Sequence, residues 1–123
     1  MVNERSDNQL TQPTFDYDDF MERIDGDVEL LKEVLEIFLE DSPELITALE
    51  KGVKSGDPDS IERAAHTLKG AAANISAKKI QQLSSDVQVK LKEGEMKGLE
   101  VLLKTITYSY DELERVLKSY LTE

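Results

Sequence analysis

The sequence predicts an all-α protein: an antiparallel up-down four-helix bundle with a short N-terminal lid helix. Three observations predict it. From Phe15 almost to the C-terminus, apolar residues recur at three- and four-residue spacings, and no Val/Ile/Thr run alternates with period two. Glycine, aspartate and proline punctuate that pattern at intervals that suit helices joined by short loops. The length of 123 residues, with 39% hydrophobic and 33% charged residues, suits one domain with one core.

Residues 1–14 combine Asn, Gln, Ser, Thr and Pro with almost nothing to bury, and read as a flexible tail ahead of a domain spanning residues 15–123. A short first helix is expected from Asp16 to Ile24, with Phe15, Phe20 and Ile24 as its apolar contacts and Gly26 as its stop. Asp27 can cap a long second helix. On it Val28, Leu31, Leu35, Phe38, Leu45, Leu49 and Val53 form one stripe. Pro43 lies inside this helix and is expected to kink it near Asp41 or Ser42. In Ser55-Gly56-Asp57-Pro58, glycine ends one helix, Asp57 caps the next and Pro58 takes its first position. The third helix then runs to about Ile75. Ser76 is expected to cap a fourth, roughly Ala77 to Lys92, with Ile80, Leu83, Val87 and Leu91 inward. A turn from Gly94 to Gly98 leads to a fifth helix carrying Leu99, Leu102, Leu103, Ile106, Tyr110, Leu113, Leu117 and Leu121.

The formal net charge is −11, which disfavours nucleic acid and anionic membrane as partners. The absence of cysteine excludes a disulfide framework and thiolate metal sites. The N-terminal segment has no apolar signal core, and no stretch approaches the roughly 20 apolar residues of a membrane span. The expectation is a cytoplasmic protein. Met1 and the polar tail favour a free-standing one, and the apolar stripes suffice to close one bundle, so a monomer is expected.

The third helix, PDSIERAAHTLKGAAANI, carries the chemistry. At about 100° per residue, Ile61, Ala65, Leu68, Ala72 and Ile75 fall within roughly 40° of a common direction, and form the core stripe. His66, the single histidine, faces away from it with Glu62, Lys69, Gly70 and Ala73. Lys69 lies one turn on, where its ammonium reaches whatever the imidazole carries. Gly70 costs about 1 kcal/mol relative to alanine in a helix interior, and core packing does not require it. Its economical explanation is another molecule approaching the backbone. A neutral imidazole nitrogen is a good nucleophile near pH 7, and Lys69 would offset the charge of a phosphoryl group placed on it. In-line transfer also needs an unobstructed surface beside the histidine, which Gly70 and Ala73 provide. A lone surface histidine usually has no role; the outward combination His-Thr-Leu-Lys-Gly-Ala-Ala-Ala is much more specific.

This segment resembles the histidine phosphotransfer (HPt) domain family of multistep phosphorelays. The family pattern is matched by Ala65, His66, Leu68, Lys69, Gly70, Ala71 and Ala72. The upstream stretch FMERIDGDVELLKEVLEIFLEDSPELITAL resembles the family's second helix, and the likeness extends over about residues 15–121. The resemblance implies a four-helix bundle that takes a phosphoryl group from a receiver-domain aspartate onto His66 and passes it to another. Lys69 matches the phosphate-facing lysine, and Gly70 the small residue of the docking surface, with Ala73 and Glu62 beside it. Gln88 falls where the family often has Glu or Gln near the phosphorylated ring, and could orient it. An ordinary exposed polar residue is an equal reading of Gln88. Two positions depart from the pattern: Ser76 stands where glycine is usual, and Val87-Gln88 replaces a common Leu-Glu pair.

The implied partners are response-regulator receiver domains and a hybrid histidine kinase. No cofactor is expected, and magnesium, if required, would belong to the receiver. Autonomous kinase activity is not expected, since the chain has no glycine-rich nucleotide segment. A single histidine with scattered carboxylates gives no metal-ligand spacing. The competing reading is a non-catalytic helical adaptor that binds a signalling partner through the same surface.

Overall fold

Helix caps set the architecture. In a computed structural model, which describes residues 12–122, five helices follow one another: α1 (Tyr17–Arg23), α2 (Val28–Ser55), α3 (Pro58–Asn74), α4 (Lys78–Lys92) and α5 (Lys97–Leu121). There is no strand among the described residues. Asp16, Asp27 and Asp57 cap α1, α2 and α3 by accepting from the amides of Asp19, Leu30 and Ser60. The Asp57 carboxylate also accepts from the Ser60 hydroxyl, and this bond, with the backbone ones, holds its pKa below the ordinary aspartate value. Gly56 ends α2 in the left-handed region at φ +67°, and the amide of Asp57 returns to the Gly52 carbonyl.

The long helices touch in the ring order α2, α3, α4, α5 and back to α2. Each turns one stripe inward. All five expected stripe residues are buried, four of them on α3 and the fifth, Ile75, as its C-cap, and Ala64 joins them. Ile80, Leu83 and Val87 of α4 and Leu99, Ile106, Tyr110, Leu113 and Leu117 of α5 complete the core, while Leu91, Leu102, Leu103 and Leu121 are half-buried.

The stripe of α2 needs correction. Its buried residues are Leu31, Leu35, Phe38, Ser42, Ile46, Leu49 and Gly52. Val28 is 52% exposed, and Leu45 and Val53 are half-buried. The inward face follows the helical period through Ser42 rather than the apolar residues beside it. Ser42 is tolerated there because its hydroxyl bonds the Tyr110 hydroxyl at 2.7 Å, so neither buried group lacks a partner. The helix runs through Pro43 without a break. Gly52 is buried for a different reason: a Cβ there would lie 3.2 Å from the Ile61 backbone nitrogen, so glycine lets α2 and α3 approach closely.

Two connectors also differ from expectation. Ser76 does not cap α4. Ala77 holds the cap position without a side-chain bond, and Ser76 is buried in the left-handed region at φ +59°. Its hydroxyl is committed to α1 instead, donating to Asp19 Oδ2 at 2.7 Å and accepting from Arg23 at 3.0 Å. The turn before α5 is shorter than Gly94–Gly98, because Gly98 already belongs to the first turn of α5.

Helix α1 buries Phe20, and Phe15 and Tyr17 pack on Tyr120 near the end of α5, the two tyrosine rings stacked at 5.0 Å. The amide of Asp16 donates to the Ser76 carbonyl, and Lys78 pairs with Asp16 at 3.0 Å. Most of the segment read as a tail, residues 1–11, lies outside the described residues. Pro13 and Thr14, its last part, are bonded to Lys79 and Glu112. No helix among the described residues is long and apolar enough to cross a membrane.

Candidate functional site

The inward stripe of α3 fixes what its other side presents. With Ile61, Ala65, Leu68 and Ala72 at 0% exposure, rotation about the axis leaves Glu62, Arg63, His66, Thr67, Gly70 and Asn74 exposed. Lys69 and Ala73 are half-buried at the side of this face toward α4. All the residues read from the sequence as a site thus lie together on one helix face or its border, and Gln88 joins them from α4.

Side chains on a helix lean toward its N-terminus, over the residues three and four positions earlier. The neighbours of His66 on this face are thus Glu62 and Arg63 on the turn before it and Lys69 and Gly70 on the turn after. Beyond His66 the surface is low: a Cβ on Gly70 would meet no heavy atom within 4 Å. Nothing inside the protein requires glycine at that position.

Grooves flank the face. On the α2 side one of about 410 Å³ is lined by Arg63, Thr67 and Lys51 together with Gly52 and Leu45. On the α4 side a polar groove of about 320 Å³ is lined by Lys69, Lys78, Gln81, Gln82, Ser85 and Gln12. Two cations, Arg63 and Lys69, thus stand one turn either side of His66 in a chain of net charge −11.

Gln88 donates its amide Nε2–H to Glu62 Oε1 at 2.9 Å, across the α3–α4 interface. At the far end of the face, Arg23 of α1 donates to the Ala73 carbonyl at 2.8 Å. The last turn of α3 has no basic residue of its own, so Arg23 supplies the cation that a helix C-terminus favours. Sequence reasoning missed Arg63 and Arg23. Arg63 was legible, since it precedes His66 by one turn. The Arg23 contact was not, because it spans 50 residues.

The described residues contain no group of three or more His, Cys, Asp or Glu placed to hold a metal ion. What the face offers is an exposed imidazole, with cations within a turn and open approach over Gly70.

A model of the Hpt domain family matches residues 33–118, which takes in most of α2, all of α3 and α4, and α5 to Lys118. Comparison with curated proteins and with solved structures returns no match.

Proposed function

Because the chain belongs to the Hpt domain family, whose members act in histidine phosphotransfer within phosphorelays, we propose that His66 is the residue that carries the phosphoryl group. The donor in this reading is a receiver-domain aspartyl phosphate and the acceptor a second receiver aspartate, with a hybrid histidine kinase as one source of such a receiver. The observation that carries it is the exposure of His66 on a helix whose opposite stripe is wholly buried.

The step balances simply. The lone pair of an imidazole nitrogen attacks phosphorus, the bond from phosphorus to the aspartyl oxygen breaks, and aspartate leaves as its carboxylate; the imidazole proton passes to solvent. Transfer onward reverses these events on another aspartate. Lys69 offsets the charge on the phosphoryl oxygens, which a loose transition state spreads over three equatorial positions. Gly70 and Ala73 keep the approach clear, Glu62 stands at the border of the docking surface, and Gln88 helps to orient the ring. Magnesium belongs to the receiver.

The connectors support an antiparallel up-down course for α2 to α5, since neighbours in contact and joined by a few residues must reverse direction. The same reading places a monomer in the cytoplasm. Incubation with a phosphorylated receiver tests it: the protein should gain an acid-labile, base-stable phosphoryl group that His66→Gln does not. Equal labelling of both, or none across a panel of receivers, would leave the non-catalytic adaptor.

A further inference from the structure

We propose that the groove between α2 and α3 beside His66 seats the acidic rim of a receiver domain, with Lys51 and Arg63 selecting that partner by charge. This deepens the reading of His66 as the phosphoryl carrier and rests on it.

The chain has 26 acidic residues against 15 basic ones, so a groove whose charged residues are all cationic runs against its composition. The two grooves that flank the His66 face are of that kind. Lys51 and Arg63 line the one toward α2, Lys69 and Lys78 the one toward α4, and no carboxylate lines either. Grooves elsewhere do contain carboxylates: Asp41 beside Ala71 and Asn74, and Glu50 with Glu100 between α2 and α5. On the α4 side Lys78 is already paired with Asp16 at 3.0 Å. On the α2 side both cations are uncommitted. Among the described residues Lys51 and Arg63 form no ion pair, and Arg63 acts on Asp57 through its field alone. Glu62, on the face itself, is bonded to Gln88 of α4.

The groove is shaped for close approach. Gly52 and Ala64 are buried beneath a cavity of about 410 Å³, and Lys51 and Arg63 stand exposed on opposite helices along it. A receiver has carboxylates to place there. One is the aspartate that exchanges the phosphoryl group, and others hold its magnesium, an ion bound through carboxylates and phosphate oxygens. In-line transfer brings that aspartate to His66, and Arg63 lies one turn from His66 at neighbour spacing. The carboxylates around the partner's aspartate thus come within reach of the groove. A chain of net charge −11 would otherwise repel such a surface, and a local cationic strip reverses the sign where contact is made.

Two charge-removal variants test this against a receiver domain that labels the wild type. Lys51→Ala/Arg63→Ala alters the groove, and Lys54→Ala/Lys104→Ala makes the same change in net charge at exposed positions away from it. Calorimetry at low salt reads the Kd for the unphosphorylated receiver, and single-turnover transfer reads the saturated rate. The groove variant should weaken Kd about three- to tenfold and keep the saturated rate within about twofold. The other should leave both within about twofold. Added salt should bring the groove variant and the wild type together. Lys51→Arg/Arg63→Lys should keep Kd within about twofold of the wild type, which separates charge from shape. An unchanged Kd, an equal loss in both charge-removal variants, or a loss confined to the saturated rate would overturn the inference, as would failure of the charge-conserving variant. No labelling of the wild type by any receiver would instead remove the reading of His66 itself.

Discussion

Ser76 donates its hydroxyl to Asp19 Oδ2 at 2.7 Å, and so joins the turn after the histidine helix to a helix 57 residues earlier. Arg23 closes the arrangement by donating to both the Ser76 hydroxyl and the Ala73 carbonyl. Helix α1 precedes the segment matched by the family model, yet it supplies the groups that finish α3.

The Ser76 connector yields a ranking of variants. Ser76→Ala removes two bonds to charged groups, about 1 kcal/mol each at this exposure, and keeps the left-handed backbone. Ser76→Gly removes the same bonds but relieves left-handed strain of about 1 kcal/mol. Alanine is thus expected to destabilise by about 2 kcal/mol and glycine by about half that, measured by urea unfolding. A glycine variant more stable than the wild type would show that the bonds contribute little.

Two helix glycines should respond oppositely to alanine. Gly70→Ala meets open space and should raise stability by about 1 kcal/mol, while Gly70→Gln keeps the fold and blocks transfer. Gly52→Ala places a methyl 3.0 Å from Ile61 Cγ1 and 3.2 Å from its backbone nitrogen, and should cost about 1–3 kcal/mol by forcing α2 from α3. Thermal unfolding separates the two, and transfer rates test the Gly70 half. Unfolding of the Gly70→Gln variant would make that glycine structural.

Lys69→Ala is expected to slow phosphoryl transfer about tenfold, less than the loss at a water-excluded site because Lys69 is only half-buried. Stability should change by no more than about 0.5 kcal/mol. Lys69→Arg should recover most of the rate. A single-turnover assay against one receiver reads the effect, and an unchanged rate would remove Lys69 from the chemistry.

Stability should fall at both ends of the pH range. The Asp19 amide and the Lys78 ammonium hold the Asp16 pKa below its ordinary value, and the Ser60 hydroxyl and backbone do the same for Asp57. Carboxyls depressed in the folded state stabilise it above their unfolded pKa and lose that contribution as pH falls through the folded one. The unfolding midpoint should therefore drop below about pH 4, and less so in an Asp16→Asn/Asp57→Asn variant. Burial raises the Tyr110 pKa, so its stabilising neutral form is lost only in alkali, above the ordinary tyrosine value. A Tyr110→Phe variant should lack that alkaline component.

Periodicity and local chemistry made much legible. The α3 stripe and the outward face of His66 follow from 3.6 residues per turn, and the caps at Asp27 and Asp57 from short side chains that reach amides three residues on. On α2 the same reasoning selected Leu45 and Val53 over Ser42 and Gly52. Choosing apolar residues finds burial only where the partner helix needs no hydroxyl or close approach.

By itself, then, the sequence determined the helices, the caps at Asp27 and Asp57 and which residues share the face of His66, because these depend on spacings of a turn or less. Only the tertiary structure decided the pairings between helices: Ser42 with Tyr110, Gly52 against Ile61, Ser76 with Asp19, Arg23 on Ala73 and Gln88 on Glu62. Such contacts arise once burial of the apolar stripes has set how the helices rotate and approach, which no local pattern encodes.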